Sequence, residues 1–192
     1  MGVVRYLSHP QVQIEADVPV PEWGLNALGH ERAERFAEWA GLVATKTIVS
    51  SAEQKALDTA ACVSKAIDVA VIVRDRMHEN DRSATGFLEP EKFEQVVDQF
   101  FAQPNKSVHG WERAADAQAR IVGEVLKVLD EAPEGDILCV GHGGVGTLLY
   151  CYLADTPISR RHDQPPGGGN VIAFDRTTRE IRHGWMPIED VV

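Results

Sequence analysis

The sequence predicts an α/β fold: a three-layer sandwich with a mostly parallel central sheet flanked by helices. Two observations predict it. Short apolar runs of strand length alternate with helix-period segments along most of the 192 residues, which is the signature of strand–helix–strand units. The runs are also apolar enough to be buried on both faces, as strands of a helix-covered parallel sheet are. A third observation concerns use rather than fold. Two of the runs stop at a histidine, Val3–Ser8 at His9 and Ile137–Gly141 at His142. Ligands of such sheets bind beyond the carboxyl ends of the strands, so two imidazoles 133 positions apart are expected to converge on one pocket.

The elements follow in order. A first strand spans Gly2 to Ser8 and ends at His9-Pro10, before an irregular segment holding Pro19, Pro21 and Gly24. Ala27, Leu28, Ala33, Phe36, Ala37 and Ala40 recur at helical spacing and predict a helix from about Asn26 to Trp39, closed by Gly41. Thr47–Val49 is the second strand. It runs into Ser50-Ser51-Ala52-Glu53-Gln54, where a serine cap with Glu53 or Gln54 reciprocating would start a helix reaching about Ala66. Val69–Val73 is a third strand, and the charged, aperiodic stretch Arg74–Gly86 follows it. Helices are expected at about Pro90–Phe101 and Trp111–Leu129, then the Ile137–Val140 strand and a helix from Gly144 to Leu153. Asp155–Asn170 reads as a long loop, and Val171–Phe174 with Ile181–Trp185 as a terminal hairpin around Arg176-Thr177-Thr178. The whole, residues 1–192, is expected to be one domain.

Composition excludes several classes of protein. Hydrophobic residues make up 44% of the chain, which argues against disorder, and the net charge of −10 argues against nucleic acid or an anionic membrane as partner. Cys62, Cys139 and Cys151 are odd in number and lie in apolar surroundings, as reduced core cysteines of a cytoplasmic protein do. No secretion signal is read at the N-terminus, and no apolar run approaches the roughly 18 residues that span a bilayer.

The chemistry-bearing groups gather at one edge of the expected sheet: His9, the Ser50–Lys55 segment, the Arg74–Gly86 stretch and His142. Helix starts beyond parallel strands present free N–H groups and favour anions. Lys55 would sit in the first turn of its helix, where a cation opposes the dipole; a bound anion would account for it, a solvated surface lysine being the plainer alternative. In His142-Gly143-Gly144 the glycines would let a ligand approach the backbone.

These motifs, taken together in order and spacing, resemble the histidine phosphatase superfamily, the phosphoglycerate-mutase-like proteins. The resemblance runs from Arg5 to about Phe174. It implies that His9 is the nucleophilic histidine, that Ser50-Ser51-Ala52-Glu53-Gln54-Lys55-Ala56 with Thr59-Ala60 is the serine segment, that Glu79 in His78-Glu79-Asn80 is the acid, and that Val140-Gly141-His142-Gly143-Gly144 carries the second histidine. It also implies phosphate contacts from Lys55, Arg82, Ser8 and Gly143, with no metal or organic cofactor.

Three positions depart from the family pattern. Ser8 stands where the family has its first phosphate-binding arginine, Pro10 where it has glycine, and Lys55 where it has a second arginine. Proline supplies no N–H, and lysine cannot grip phosphate bidentately as arginine does. Arg5 is a poor substitute for an arginine at Ser8, because it lies roughly 10 Å back along the strand and points to the opposite face. Arg82 is the better-placed guanidinium; Arg160 and Arg161 read as surface residues. The tripeptide Arg182-His183-Gly184 is a decoy, since it falls in the terminal hairpin instead of at the end of the first strand.

Other readings carry less weight. His78, Glu79 and Asp81 lack metal-ligand spacing. Gly167-Gly168-Gly169 reads as a flexible approach to the hairpin before it reads as an anion nest. Trp23, Trp39, Trp111 and Trp185 are scattered like packing residues. The function implied is hydrolysis of a phosphomonoester, on a small phosphorylated substrate, through a phosphohistidine on His9. The length leaves little room for the segments that enclose substrate in mutases, so mutase activity ranks lower. The rival from another class is a non-catalytic phospho-ligand binder, for which Ser8, Pro10 and Lys55 are the evidence.

Overall fold

The computed structural model describes residues 2–191. Six strands form one mixed sheet: β1 (Val3–Ser8), β2 (Thr45–Ser50), β3 (Val71–Val73), β4 (Asp136–Gly141), β5 (Asn170–Asp175) and β6 (Ile181–Pro187), in the spatial order β3-β2-β4-β1-β5-β6. The first four run parallel; β5 is antiparallel to β1 and β6 to β5, so the terminal hairpin supplies the antiparallel edge. Arg182-His183-Gly184 lies on that edge strand, as expected of a chance match.

Alternation along the strands sorts the core into two layers. Leu7, Ile48, Leu138, Val140 and Val171 pack with helices α1 (Ala27–Ala37) and α2 (Gln54–Ile67) on one face. Val4, Tyr6, Val49, Ile137, Cys139, Ile172 and Phe174 face α3 (Pro90–Ala102), α4 (Ala114–Glu131) and α5 (Gly143–Leu153) on the other. The chain leaving β1 and β2 passes to the α1–α2 layer, whereas β4 leads straight into α5 on the opposite side. That divergence opens a crevice at the carboxyl end of β4.

Some boundaries differ from the sequence expectation, each for a visible reason. Helix α4 starts at Ala114 instead of Trp111, because Trp111 is drawn into the core beside Phe93 and Phe100 and Gly110 turns the chain with φ +82°. Gly41 is not a left-handed cap; it lies in a short turn where a Cβ would strike the Trp39 ring at 2.3 Å. The serine capping box does not form. Helix α2 begins at Gln54 with no side-chain cap, and Glu53 is spent elsewhere.

Tyr6 ties the sheet to the second histidine. Its buried hydroxyl accepts from the His142 N–H at 3.1 Å and donates to the His142 carbonyl at 3.2 Å. Gly141 has to be glycine beside it, since a Cβ there would come 2.3 Å from that hydroxyl. Tyr6→Phe keeps the ring and leaves the buried His142 N–H without a partner, the carbonyl still accepting from Gly146 N–H at 3.1 Å, at an expected cost of about 1–3 kcal/mol. Urea unfolding of the two proteins measures it, and equal midpoints would show that the hydroxyl contributes nothing.

Candidate active site

Strand register alone assembles the centre. β4 lies between β1 and β2, with Ser8 opposite Gly141 and Ser50 opposite Val140. The ladder continues one residue further on each side: His9 N–H donates to the Gly141 carbonyl and Ser51 N–H to the Val140 carbonyl, both at 3.0 Å. His9, Ser51 and His142 therefore emerge side by side, and the two imidazole centroids stand 5.3 Å apart.

His9 is held from both ends. Its carbonyl accepts from Gly169 N–H at 2.9 Å, and a Cβ on Gly168 would strike that carbonyl at 2.3 Å. Gly167, Gly168 and Gly169 all have positive φ, a path open to glycine, and form a strap over the first histidine. The ring Nδ1 sits 2.7 Å from the Pro10 carbonyl. A carbonyl only accepts, so Nδ1 carries the proton and Nε2 keeps its lone pair. Pro10, which costs one N–H donor, thus sets the tautomer. Burial, helped by Lys55 and Arg82, lowers the His9 pKa to about 4 against the opposing pull of the Pro10 hydrogen bond and Glu53.

His142 is fully buried, with Nε2 2.8 Å from Ser51 Oγ and 3.5 Å from Glu53 Oε1, while Nδ1 is buried with no partner. Its pKa is lowered to about 4, chiefly by burial, with His9 and Lys55 adding to it against Glu53 and Glu79. Both rings are therefore neutral at ordinary pH.

Glu53 is the residue that sequence reasoning missed. It appeared only as a helix-cap partner, yet its buried carboxylate accepts from Lys55 Nζ at 2.5 Å and from Glu79 N–H at 2.8 Å. Burial would raise its carboxyl; His142, Lys55 and the Glu79 N–H outweigh that and hold it at about 2. Lys55 is paired within the chain. Its ammonium is bonded to Glu53 and, at 2.8 Å, to the Val20 carbonyl, and it does not line the cavity beside His9. The lysine that opposes its helix dipole is held by a carboxylate of its own chain.

Ser8 too is bonded within the chain. Its hydroxyl is fully buried behind the site, bonded to Gln164 and Asn170, and does not reach the cavity.

The other expected residues do meet. A cavity of about 460 Å³ is lined by His9, Glu79, Arg82 and Gly143, with Phe93 and Val97 on one wall and Pro165 and Pro166 on another. Glu79 is fastened to the start of α5, its carboxylate accepting from the N–H groups of Gly144 (3.1 Å) and Val145 (3.0 Å), where the helix dipole favours an anion. A second buried cation that went unnoticed steadies its loop: Arg120 donates to the carbonyls of Arg76 and His78 at 2.8 Å each and pairs with Glu112 at 2.7 Å. Glu112 is thereby occupied and, like Asp81, does not line this cavity. The Arg82 guanidinium stacks over Phe93 and Trp111 at 5.0 and 5.7 Å. Arg160, expected at the surface, lines the cavity instead, bridged to Glu94 and Asp98 of α3. Among the described residues no group of three His, Cys, Asp or Glu side chains is placed to hold a metal ion.

A neutral strand-end imidazole with its Nε2 free thus faces a carboxylate and a guanidinium across one cavity. The sequence profile of the histidine phosphatase superfamily (branch 1) matches residues 7–184, and the chain belongs to that family of phosphoric monoester hydrolases. Solved structures agree in fold. Mycobacterial glucosyl-3-phosphoglycerate phosphatase is 21% identical with a TM-score of 0.77, over 96% of this chain and 95% of that one. YhfR of Bacillus stearothermophilus is 21% identical with a TM-score of 0.79, over 96% and 95%. Phosphoserine phosphatase of Entamoeba histolytica, in complex with 3-phosphoglyceric acid, is 16% identical with a TM-score of 0.76, over 97% and 98%. No curated protein sequence matches the chain.

The Glu53–Lys55 pair makes a stability prediction opposite to that for a lysine awaiting substrate. Lys55→Ala strands a buried carboxylate, and breaking such a pair costs about 3–5 kcal/mol. Denaturant unfolding of Lys55→Ala beside Lys55→Ala/Glu53→Gln should show the loss and its partial recovery in the double variant. A Lys55→Ala protein as stable as wild type would mean that the ammonium is not held by Glu53.

Proposed function

We propose that this phosphatase works through a covalent phosphohistidine on His9, with the whole chain, residues 1–192, acting as one domain on a small phosphorylated substrate. The observation that carries the reading is the Nδ1–Pro10 hydrogen bond, 2.7 Å long, which leaves Nε2 unprotonated beside the cavity. Nε2 attacks phosphorus in line, a P–N bond forms, and the bond to the leaving oxygen breaks. Glu79 supplies the proton that oxygen needs and then takes one from the water that cleaves the P–N bond. Arg82, stacked and unencumbered by any ion pair among the described residues, balances charge on the transferring oxygens. His142, fully buried with its ring centroid 5.3 Å from that of His9, backs the nucleophile. Free Cys62, Cys139 and Cys151 fit a cytoplasmic setting, and among the described residues no helix is long and apolar enough to cross a membrane.

Two experiments test the reading. Incubation with an aryl phosphate, followed by intact-mass measurement at alkaline pH where phosphohistidine survives, should show one added phosphoryl group. His9→Ala should lose that label and on the order of a thousandfold or more in kcat. A His9→Ala protein that still labels removes His9 from the nucleophile's role, and a wild type that binds phosphate without labelling or turnover is a binder and not an enzyme.

The second concerns pH. Protonation of Nε2 destroys the nucleophile, and burial has lowered the His9 pKa from the ordinary 6.5 to about 4. With the substrate's own ionisation divided out, kcat/KM should stay level down to about pH 5 and fall only near pH 4. An acid limb at the ordinary imidazole value would mean that this half-buried ring is not desolvated in the working enzyme.

A further inference from the structure

A relay of side chains at the rim of the His9 cavity fixes the direction of one amide. Asn170 is buried at the start of β5, and its Nδ2 donates to the Pro165 carbonyl at 3.1 Å. A carbonyl only accepts, so the nitrogen of the Asn170 amide is assigned by chemistry. The same Nδ2 donates to Gln164 Oε1 at 3.1 Å. Ser8 Oγ accepts from Asn170 N–H at 3.0 Å, and its one proton faces Gln164 Oε1 at 2.5 Å in preference to the Asn170 carbonyl at 3.2 Å. Two donors converging on Oε1 leave the Gln164 amide one orientation, with Nε2 turned away from both.

Nε2 is turned toward the start of α5. It lies directly over the α-carbon of Gly143, where a Cβ would come within 2.0 Å of it, so only glycine leaves room for the amide. Gln164, Gly143 and His9 line the same cavity. No acceptor among the described residues bonds Nε2, although the oxygen of the same amide holds two donors. An amide anchored so firmly at one end, with its side chain lining the cavity and its donor end unpartnered, is preorganised to meet an acceptor that enters from outside.

We propose that Gln164 is a substrate-binding residue whose Nε2 donates a hydrogen bond to a non-bridging oxygen of the phosphoryl group, with Ser8 and Asn170 as its positioning residues. The site thus contacts the anion through a neutral amide at the place where Ser8 itself is buried too deeply to reach it. This proposal rests on phosphoryl transfer at His9, so its test reads binding and not turnover.

Binding of orthophosphate is titrated by calorimetry for wild type, Gln164→Met, Gln164→Glu and Ser8→Ala, with melting temperatures as a check that each variant folds. Gln164→Met keeps the bulk and loses the donor, and should weaken binding about tenfold, the effect of one hydrogen bond to a charged group. Gln164→Glu sets a carboxylate against the anion and should weaken it further. Ser8→Ala frees the amide to turn and should fall between wild type and Gln164→Met, though it touches no ligand. Orthophosphate binding by Gln164→Met as tight as wild type, or tighter because a plug has been withdrawn, overturns the proposal. The two readings fail separately: labelling of His9 with unchanged binding in Gln164→Met sinks only the role of Gln164, and weakened binding with a His9→Ala protein that still turns over sinks only the nucleophile.

Discussion

Parallel pairing of β1 and β2 on either side of β4 is the constraint on which the rest of the site depends. Neighbouring strands lie about 4.8 Å apart, and the register places Ser8 beside Gly141 and Ser50 beside Val140. Whatever follows those residues must therefore share a space a few ångströms wide. His9, Ser51 and His142 follow them. The hydrogen bonds that prolong both ladders by one residue carry the rigidity of the sheet into the first residues of the site, and Tyr6 extends it to the turn before α5.

Charge is arranged on that frame by a buried carboxylate. Glu53 joins the serine segment to the loop of Glu79 and to His142, and in doing so it neutralises Lys55. A buried ion pair of this kind costs desolvation and rewards geometry. Here it leaves the cavity with a guanidinium stacked on aromatic rings, a second guanidinium tied to acidic residues of α3, and one neutral imidazole, that of His9, with His142 buried behind it. Hydrogen bonding from neutral groups and from Arg82, with little help from unpaired lysine charge, is what such a site offers an anion.

Position along the chain is a weak guide to role, and Lys55 and Ser8 show why. Lys55 opposes its helix dipole, and an anion nearby does explain it, but the anion is Glu53, two residues away in sequence. Ser8 lies beside His9 in sequence and behind it in space, because consecutive side chains of a strand point to opposite faces. The residues that reach the cavity from afar, Gln164 and Arg160, come from the loop before β5, which no periodicity could place.

The sequence by itself determined the layered α/β architecture, the parallel core strands with an antiparallel terminal pair, and the meeting of His9, Glu79 and His142, because strand length, apolar pattern and motif order are local and survive in one dimension. It also singled out Arg82 as a guanidinium able to reach inward. Only the tertiary structure decided which partner each polar group takes. Whether Lys55 meets substrate or Glu53, whether Ser8 faces the cavity or Gln164, and whether the three glycines are slack or a strap over His9 depend on distances between segments up to about 160 residues apart. Those distances follow from packing, and a hydrogen bond or ion pair exists only where packing has brought its two ends within reach.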